Sequence, residues 1–221
     1  MTLVEELEAR GVGFRALDQQ IDTTTASGRL QYPVSGGTGD DVLAADRAEG
    51  GPGDDVLAVT TGDGGPGNDL LRCFPGQSDF CELSGGRGND LLRCRSQRAN
   101  CNLHGDSGND RLIGGQTNRR DPGLQDRLFG GGGRDSLDGR AGNDTLEGGS
   151  GNDRLRGGGG RDVLRGESGD DRLEAIELRS LGERTARDAV SCGAGRRDQA
   201  VADRRDRVTR CERVRRGRRT R

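Results

Sequence analysis

A nine-residue period of glycine, aspartate and leucine constrains this chain more than any other feature. It reads GGTGDDVLA from Gly36, GGPGDDVLA from Gly50, GGPGNDLLR from Gly64, GGRGNDLLR from Gly85 and GDSGNDRLI from Gly105. It continues as GGGGRDSLD from Gly130, GRAGNDTLE from Gly139, GGSGNDRLR from Gly148, GGGGRDVLR from Gly157 and GESGDDRLE from Gly166. The shared template is GGxGxDxLx. Glycine at positions 1, 2 and 4 lets the backbone take positive φ and lets one turn lie on the next with no Cβ between them. Aspartate at position 6 then points into the turn. Leucine at position 8 sits between outward-facing neighbours, the alternation of a very short strand. Leu43, Leu57, Leu71, Leu92, Leu112, Leu137, Leu146, Leu155, Leu164 and Leu173 all hold that place and predict a thin aliphatic ladder. A flexible Gly/Asp linker shares this composition but has no need of leucine at a fixed phase.

The ladder is nearly all the core such a chain can have. Of 221 residues, 29% are hydrophobic, 2% are aromatic and 41 are glycine. Chains this polar stay disordered unless something other than burial offsets the entropy of ordering the backbone. Charge suggests what that is. The 35 basic residues, all arginine, nearly balance 37 acidic ones, but the aspartates recur at fixed offsets from glycine. Periodic carboxylates beside flexible carbonyls suit a hard cation such as Ca²⁺, which takes about 6 to 8 oxygen ligands. No run of about 18 apolar residues exists, so no membrane span is expected. The start, MTLVEELEAR, has acidic residues where a signal peptide has a basic flank, and no export signal is expected in the sequence as given.

These ten strings resemble the repeats-in-toxin (RTX, hemolysin-type) calcium-binding nonapeptide repeat. The resemblance implies an all-β fold, a right-handed parallel β-roll in which two nonapeptides make one coil and several Ca²⁺ ions sit between stacked turns. Carried onto this sequence, the ligands are Asp41, Asp55, Asp69, Asp90, Asp110, Asp135, Asp144, Asp153, Asp162 and Asp171. Backbone carbonyls near Gly36, Gly50, Gly64, Gly85, Gly105, Gly130, Gly139, Gly148, Gly157 and Gly166 complete them. The implied function is calcium binding by a secreted, extracellular structural module that folds on the ion. A monomer is expected, with no enzyme activity and a macromolecular partner that the sequence does not identify.

Spacing divides the array. From Gly130 to Gly166 the repeats follow every nine residues, so their turns alternate between two sides of the roll. Upstream, the starts are 14, 14, 21 and 20 residues apart, which predicts whole coils whose second half lacks a calcium turn. Val34, Ala48, Leu83 and Leu103 stand where the second core residue belongs, and Gly62 breaks the pattern. One side then carries turns at Gly36, Gly50, Gly64, Gly85, Gly105, Gly130, Gly148 and Gly166; the other is regular only at Gly139 and Gly157, after a repeat interrupted by TNRRDPGLQ and closed by Asp126 and Leu128.

Six cysteines allow 15 pairings. Cys73 with Cys81 and Cys94 with Cys101 bracket loops directly after LLR in two upstream units, and are expected to staple the loops that replace a missing turn. Disulfides suit an oxidising compartment and a scaffold poor in core. Zinc is the rival reading, but neither pair has the gap of about two to four residues common in structural zinc sites. Cys192 and Cys211 flank a further Gly turn and Val-rich strands, resembling the closing segment of many actinobacterial secreted repeat proteins and read as a disulfide-tied cap over the open end. The Arg-rich end RRGRRTR reads as a solvated tail.

Residues 1 to 34 carry no repeat. Thr2 and Glu5 form a capping-box pattern, Gly11 can end the helix, and Val12 to Leu17 reads as a strand, a short α/β fragment. The string LVEELEARGVGFRALDQQIDTTTASGRL resembles part of the catalytic domain of resolvase- and invertase-type serine recombinases. That family's nucleophilic serine and arginine cluster have no counterpart here, so strand exchange and DNA binding are not expected. GDSG at Gly105 to Gly108, after His104, imitates a serine-protease motif but is the fifth repeat. The sole histidine leaves no HExxH site. The expected organisation is a truncated recombinase-like fragment (1–34), a roll (35–175) and a cap with a basic tail (176–221). Within the roll, 36–113 are loop-bearing coils, 114–129 the interrupted repeat and 130–174 regular nonapeptides. Two rival readings stand beside this one: a DNA-binding recombinase fragment acting through residues 1–34, and a detached C-terminal part of a larger secreted enzyme or adhesin.

Overall fold

Leucine at a fixed phase can be buried only if successive turns stack, and stacking organises the computed structural model. It describes residues 34–73, 80–94, 99–116, 124–176 and 186–217. The chain divides into two units, Met1–Gln31 and Tyr32–Arg221, and every described residue belongs to the second. The helix, strand and recombinase-like string expected near the N-terminus lie outside the described residues.

The upstream coils contain β1 (Val34–Ser35), β2 (Val42–Ala44), β3 (Arg47–Glu49), β4 (Val56–Val59), β5 (Thr61–Pro66), β6 (Leu70–Cys73), β7 (Phe80–Arg87), β8 (Leu91–Arg93), β9 (Asn100–Ser107) and β10 (Arg111–Ile113). The regular block supplies β11 (Arg127–Gly132), β12 (Ser136–Ala141), β13 (Thr145–Ser150), β14 (Arg154–Gly159), β15 (Val163–Ser168) and β16 (Arg172–Ala175). After it come β17 (Ala189–Ser191), β18 (Gln199–Ala202), β19 (Arg207–Thr209) and β20 (Arg213–Arg216). Odd-numbered strands form one ten-stranded parallel sheet and even-numbered strands the other. Each coil of the roll therefore contributes one strand to each sheet. The described residues contain no helix.

Register fixes what lies between the sheets. In the odd sheet Val34, Ala48, Gly62, Leu83, Leu103, Leu128, Leu146, Leu164, Val190 and Val208 are successive partners. In the even sheet the row is Leu43, Leu57, Leu71, Leu92, Leu112, Leu137, Leu155, Leu173, Ala200 and Val214. Leucines from Leu57 to Leu173 in both rows are buried, whereas Val34 and Leu43 at one end are only partly covered and Val214 at the other is exposed. The gap at Gly62 is filled from the side: a Cβ there would lie 2.5 Å from Cγ2 of Val59, itself fully buried.

The two returns between sheets differ as the spacing predicts. Every odd-to-even connection upstream of residue 176 is a glycine turn with its aspartate, from Gly36 to Asp171. Even-to-odd connections are tight at first, with Thr60 and Thr61 both donating to the Asp46 carbonyl. They are then tied by Cys73–Cys81 and Cys94–Cys101, with Cα separations of 6.1 and 6.2 Å. At Gly139 and Gly157 they are glycine turns as well. The sheets do not stop at residue 175. Strands β17 to β20 extend both of them in parallel register, so the segment expected as a cap is built from further coils, with Cys192 bridged to Cys211.

Candidate metal centre

Stacking brings the position-6 aspartates into two columns, one along each side of the roll. On the odd-to-even side the backbone N–H of Asp41 donates to Oδ1 of Asp55 at 2.7 Å. The same bond links Asp55 to Asp69, Asp69 to Asp90, Asp90 to Asp110, Asp110 to Asp135, Asp135 to Asp153 and Asp153 to Asp171. On the other side Asp126 donates to Asp144, Asp144 to Asp162, and Asp162 to Asp188. Position-6 carbonyls are used too, accepting from the next coil, as Asp55 does from the Leu70 N–H. From Asp55 onward each aspartate thus spends its main chain and Oδ1 on holding coils in register.

Oδ2 is what remains. In Asp41, Asp55, Asp69, Asp90, Asp110, Asp135, Asp144, Asp153 and Asp171 it is buried with no hydrogen-bond partner. Such a group costs about 1–3 kcal/mol, more when charged, unless something compensates it. Position-1 glycine explains how Oδ2 is seated. A Cβ on Gly139 would lie 2.7 Å from Oδ2 of Asp144 and 2.7 Å from the carbonyl of Gly157. The corresponding positions of Gly36, Gly50, Gly64, Gly105, Gly130, Gly148 and Gly166 also abut an Oδ2 and a carbonyl of the next coil. Any larger residue would fill the space that the two oxygens share.

Burial also disfavours the charged form. It raises Asp69, Asp90 and Asp171 to about 6, Asp110 and Asp153 to about 7 and Asp144 to about 8, against the pull of the backbone N–H and with help from neighbouring carboxylates. Asp55 and Asp135 are raised by burial as well. A column of buried, partnerless oxygens spaced about 4.8 Å apart, flanked by carbonyls and free of nitrogen or sulfur donors, fits a hard oxygen-seeking cation.

Several residues of this system carry little sequence signal. Position 5, left open in the template, builds an exposed ladder in the opposite sense: Asn68 donates its N–H to Asp54, Asn89 to Asn68, Asn109 to Asn89 and Arg134 to Asn109. The position-6 columns also run past the recognisable repeats. Asp171 donates to Asp198 and Asp198 to Glu212 on one side, and Asp188 to Asp206 on the other. Each of these carboxylates stands two residues before an inward Val or Ala, which is the signal that could have found them. Some members of the columns differ chemically. Oδ2 of Asp126, Asp198 and Asp206 accepts the N–H of Gly115, Gly195 and Asp203 respectively, so both oxygens are satisfied by the chain itself.

Residues 102–118, 124–155 and 147–175 match the RTX calcium-binding nonapeptide repeat family, in four copies. These residues are RTX repeats. Their array is a calcium-binding structural module on a parallel β-solenoid. No curated protein and no solved structure matches the chain. Within these coils the GDSG string closes β9 and leads into its glycine turn: the Ser107 hydroxyl donates to the Gly86 carbonyl, and the His104 ring stacks on Phe129 at 4.8 Å.

Proposed function

We propose that calcium is bound between consecutive coils by Asp41, Asp55, Asp69, Asp90, Asp110, Asp135, Asp144, Asp153, Asp162 and Asp171, with carbonyls of the position-1 glycines, and that these ions supply the free energy that folds the roll. The observation that carries the reading is that Oδ2 of Asp41, Asp55, Asp69, Asp110, Asp135, Asp144, Asp153 and Asp171 is buried without a hydrogen-bond partner, beside a position-1 glycine and a carbonyl of the next coil. Calcium binding to a site that exists only in the folded chain adds its free energy to folding. In this reading residues 36–113 form a ladder bearing ions on one side, residues 130–174 carry them on both, and 176–221 close the stack. The three disulfides favour an extracellular setting. The role is structural and binding, and no catalytic step is assigned.

Two measurements test it. Far-UV circular dichroism of the whole chain should change from coil to β between EDTA and millimolar Ca²⁺, and an unchanged spectrum overturns the folding role. In calorimetric titration Asp110→Asn should bind at least one ion fewer than the parent chain. Asp206→Asn, whose two oxygens already have N–H partners, should bind the same number. Equal counts for Asp110→Asn and the parent chain overturn the ligand assignment.

A further inference from the structure

Outside the aspartate columns, chemistry-bearing side chains converge at the cystine-tied returns. Each upstream pair, taken alone, has too long a gap for an ordinary structural zinc motif. Stacking removes that objection, because the roll sets the two pairs on adjacent coils. Cys81 and Cys101 are register partners on β7 and β9. The Sγ atoms of Cys73, Cys94 and Cys101 all lie within 4.8 Å of one another, and the fourth sulfur, of Cys81, is bonded to Cys73. All four side chains are buried, at 3%, 0%, 1% and 0% exposure in chain order. The result is a two-by-two array of sulfurs, two strands wide and two coils deep.

We propose that in the thiol form these four cysteines constitute a closed tetrathiolate site for one soft divalent cation of the zinc class, which oxidation to the two cystines replaces. Four sulfurs about 2.3 Å from a tetrahedral ion stand roughly 3.8 Å apart. The sulfurs of Cys73, Cys94 and Cys101 already lie within 4.8 Å of one another, and opening the two cystines frees all four side chains to rotate toward that spacing. Burial leaves no position for water, so the site is structural rather than catalytic. Hard and soft ligands are kept apart: carboxylate and carbonyl oxygens take calcium along the columns, and sulfur takes the second metal at the returns where the column is missing. Balance is simple. Reduction adds two electrons and two protons to each cystine, supplied by a dithiol or phosphine, and metal binding then releases four protons as thiolates form. The site thus gives those coils a cross-link before disulfides form.

The test uses the full chain held in saturating calcium, reduced with a phosphine and desalted without oxygen. Titration with Co²⁺ should develop the intense visible absorption of tetrahedral thiolate coordination, saturating at one equivalent and bleached by Zn²⁺. The band should vanish in Cys94→Ser/Cys101→Ser and persist in Cys192→Ser/Cys211→Ser. A readout on the unaltered chain covers failure of a variant to fold: zinc should lower the alkylation rate of Cys73, Cys81, Cys94 and Cys101 and leave that of Cys211, which is only partly buried, unchanged. Absence of the band, its retention in Cys94→Ser/Cys101→Ser, or alkylation of the four cysteines at the rate seen without zinc each overturns the proposal. Circular dichroism in the same calcium buffer reports independently on the calcium-dependent roll.

Discussion

An aspartate side chain has two oxygens, and in this roll they have different duties. Oδ1 takes the N–H of the neighbouring coil, while Oδ2 is held against a position-1 glycine with no donor of its own. That glycine is therefore a steric requirement, distinct from the conformational one at Gly51 or Gly158, whose φ values are 97° and 107°. Gly139→Ala should lower calcium affinity and the thermal midpoint, because the new methyl would enter the space of Asp144 Oδ2 and the Gly157 carbonyl. Gly159→Ala, whose Cβ would meet nothing within 4 Å, should leave both within experimental error, and equal effects of the two would refute this account. The raised pKa values give a second expectation at this scale. Asp110, Asp144 and Asp153 titrate at about 7, 8 and 7 in the calcium-free roll, above the ordinary value near 4 in an unfolded chain. Between these limits the folded state binds more protons, so its stability falls as pH rises from about 4 to about 8. In EDTA the β signal should be stronger at pH 5 than at pH 8, and saturating calcium should abolish the difference. A calcium-free chain with more β structure at pH 8 would reverse the sign and exclude this cause.

At the scale of elements, each strand is too short to be stable alone, and what holds it is repetition across coils. The inward rows were legible in the sequence because leucine holds one phase, and even the irregular upstream row from Val34 to Leu103 followed from residues two places before glycine. The one-sided pattern was legible for the same reason, since spacing counts turns. Position 5 was not, because an exposed Asn or Asp reads as a solvated residue until the next coil's N–H is seen above it. The C-terminal strands were hidden by substitution: Ala200 and Val214 replace leucine and Glu212 replaces aspartate, so the period survives in space after it fades in sequence. These last coils lack the buried, partnerless oxygens of the array and rest more on covalent closure. Removing Cys192–Cys211, which closes a loop of sequence separation 19, with a Cys192→Ala/Cys211→Ala pair should cost about 3 kcal/mol in calcium-saturated unfolding. A loss below about 1 kcal/mol would show that the sheets close this end unaided.

For the whole molecule, the ligand arrangement proposed above sets how folding would depend on calcium. At Gly36, Gly50, Gly64, Gly105, Gly130, Gly139, Gly148 and Gly166 an Oδ2 lies beside a carbonyl from the next coil, so the space suited to an ion is shared between neighbours and does not exist in one repeat alone. The first ion must therefore order at least two coils, at a backbone cost of about 1–2 kcal/mol per residue. Each later ion orders only the coil it adds. Nearest-neighbour coupling of this kind makes stacked repeats fold as a unit, with an unfavourable nucleus and favourable propagation. Independent sites would give a hyperbolic rise of β signal with calcium. The roll should instead give a sigmoidal one, with a Hill coefficient clearly above 1 and a thermal midpoint that climbs steadily with calcium concentration, because the folded state alone binds the ion. Breaking the column in its middle should divide the cooperative unit. Asp110→Asn, with coils on both sides still complete, should lower the Hill coefficient and split the transition into two. Asp41→Asn, at the end where the column begins, should shift the curve slightly and leave it single. Identical curves for the two variants would mean that the ions act one by one, and that the coils are coupled through the leucine rows rather than through calcium.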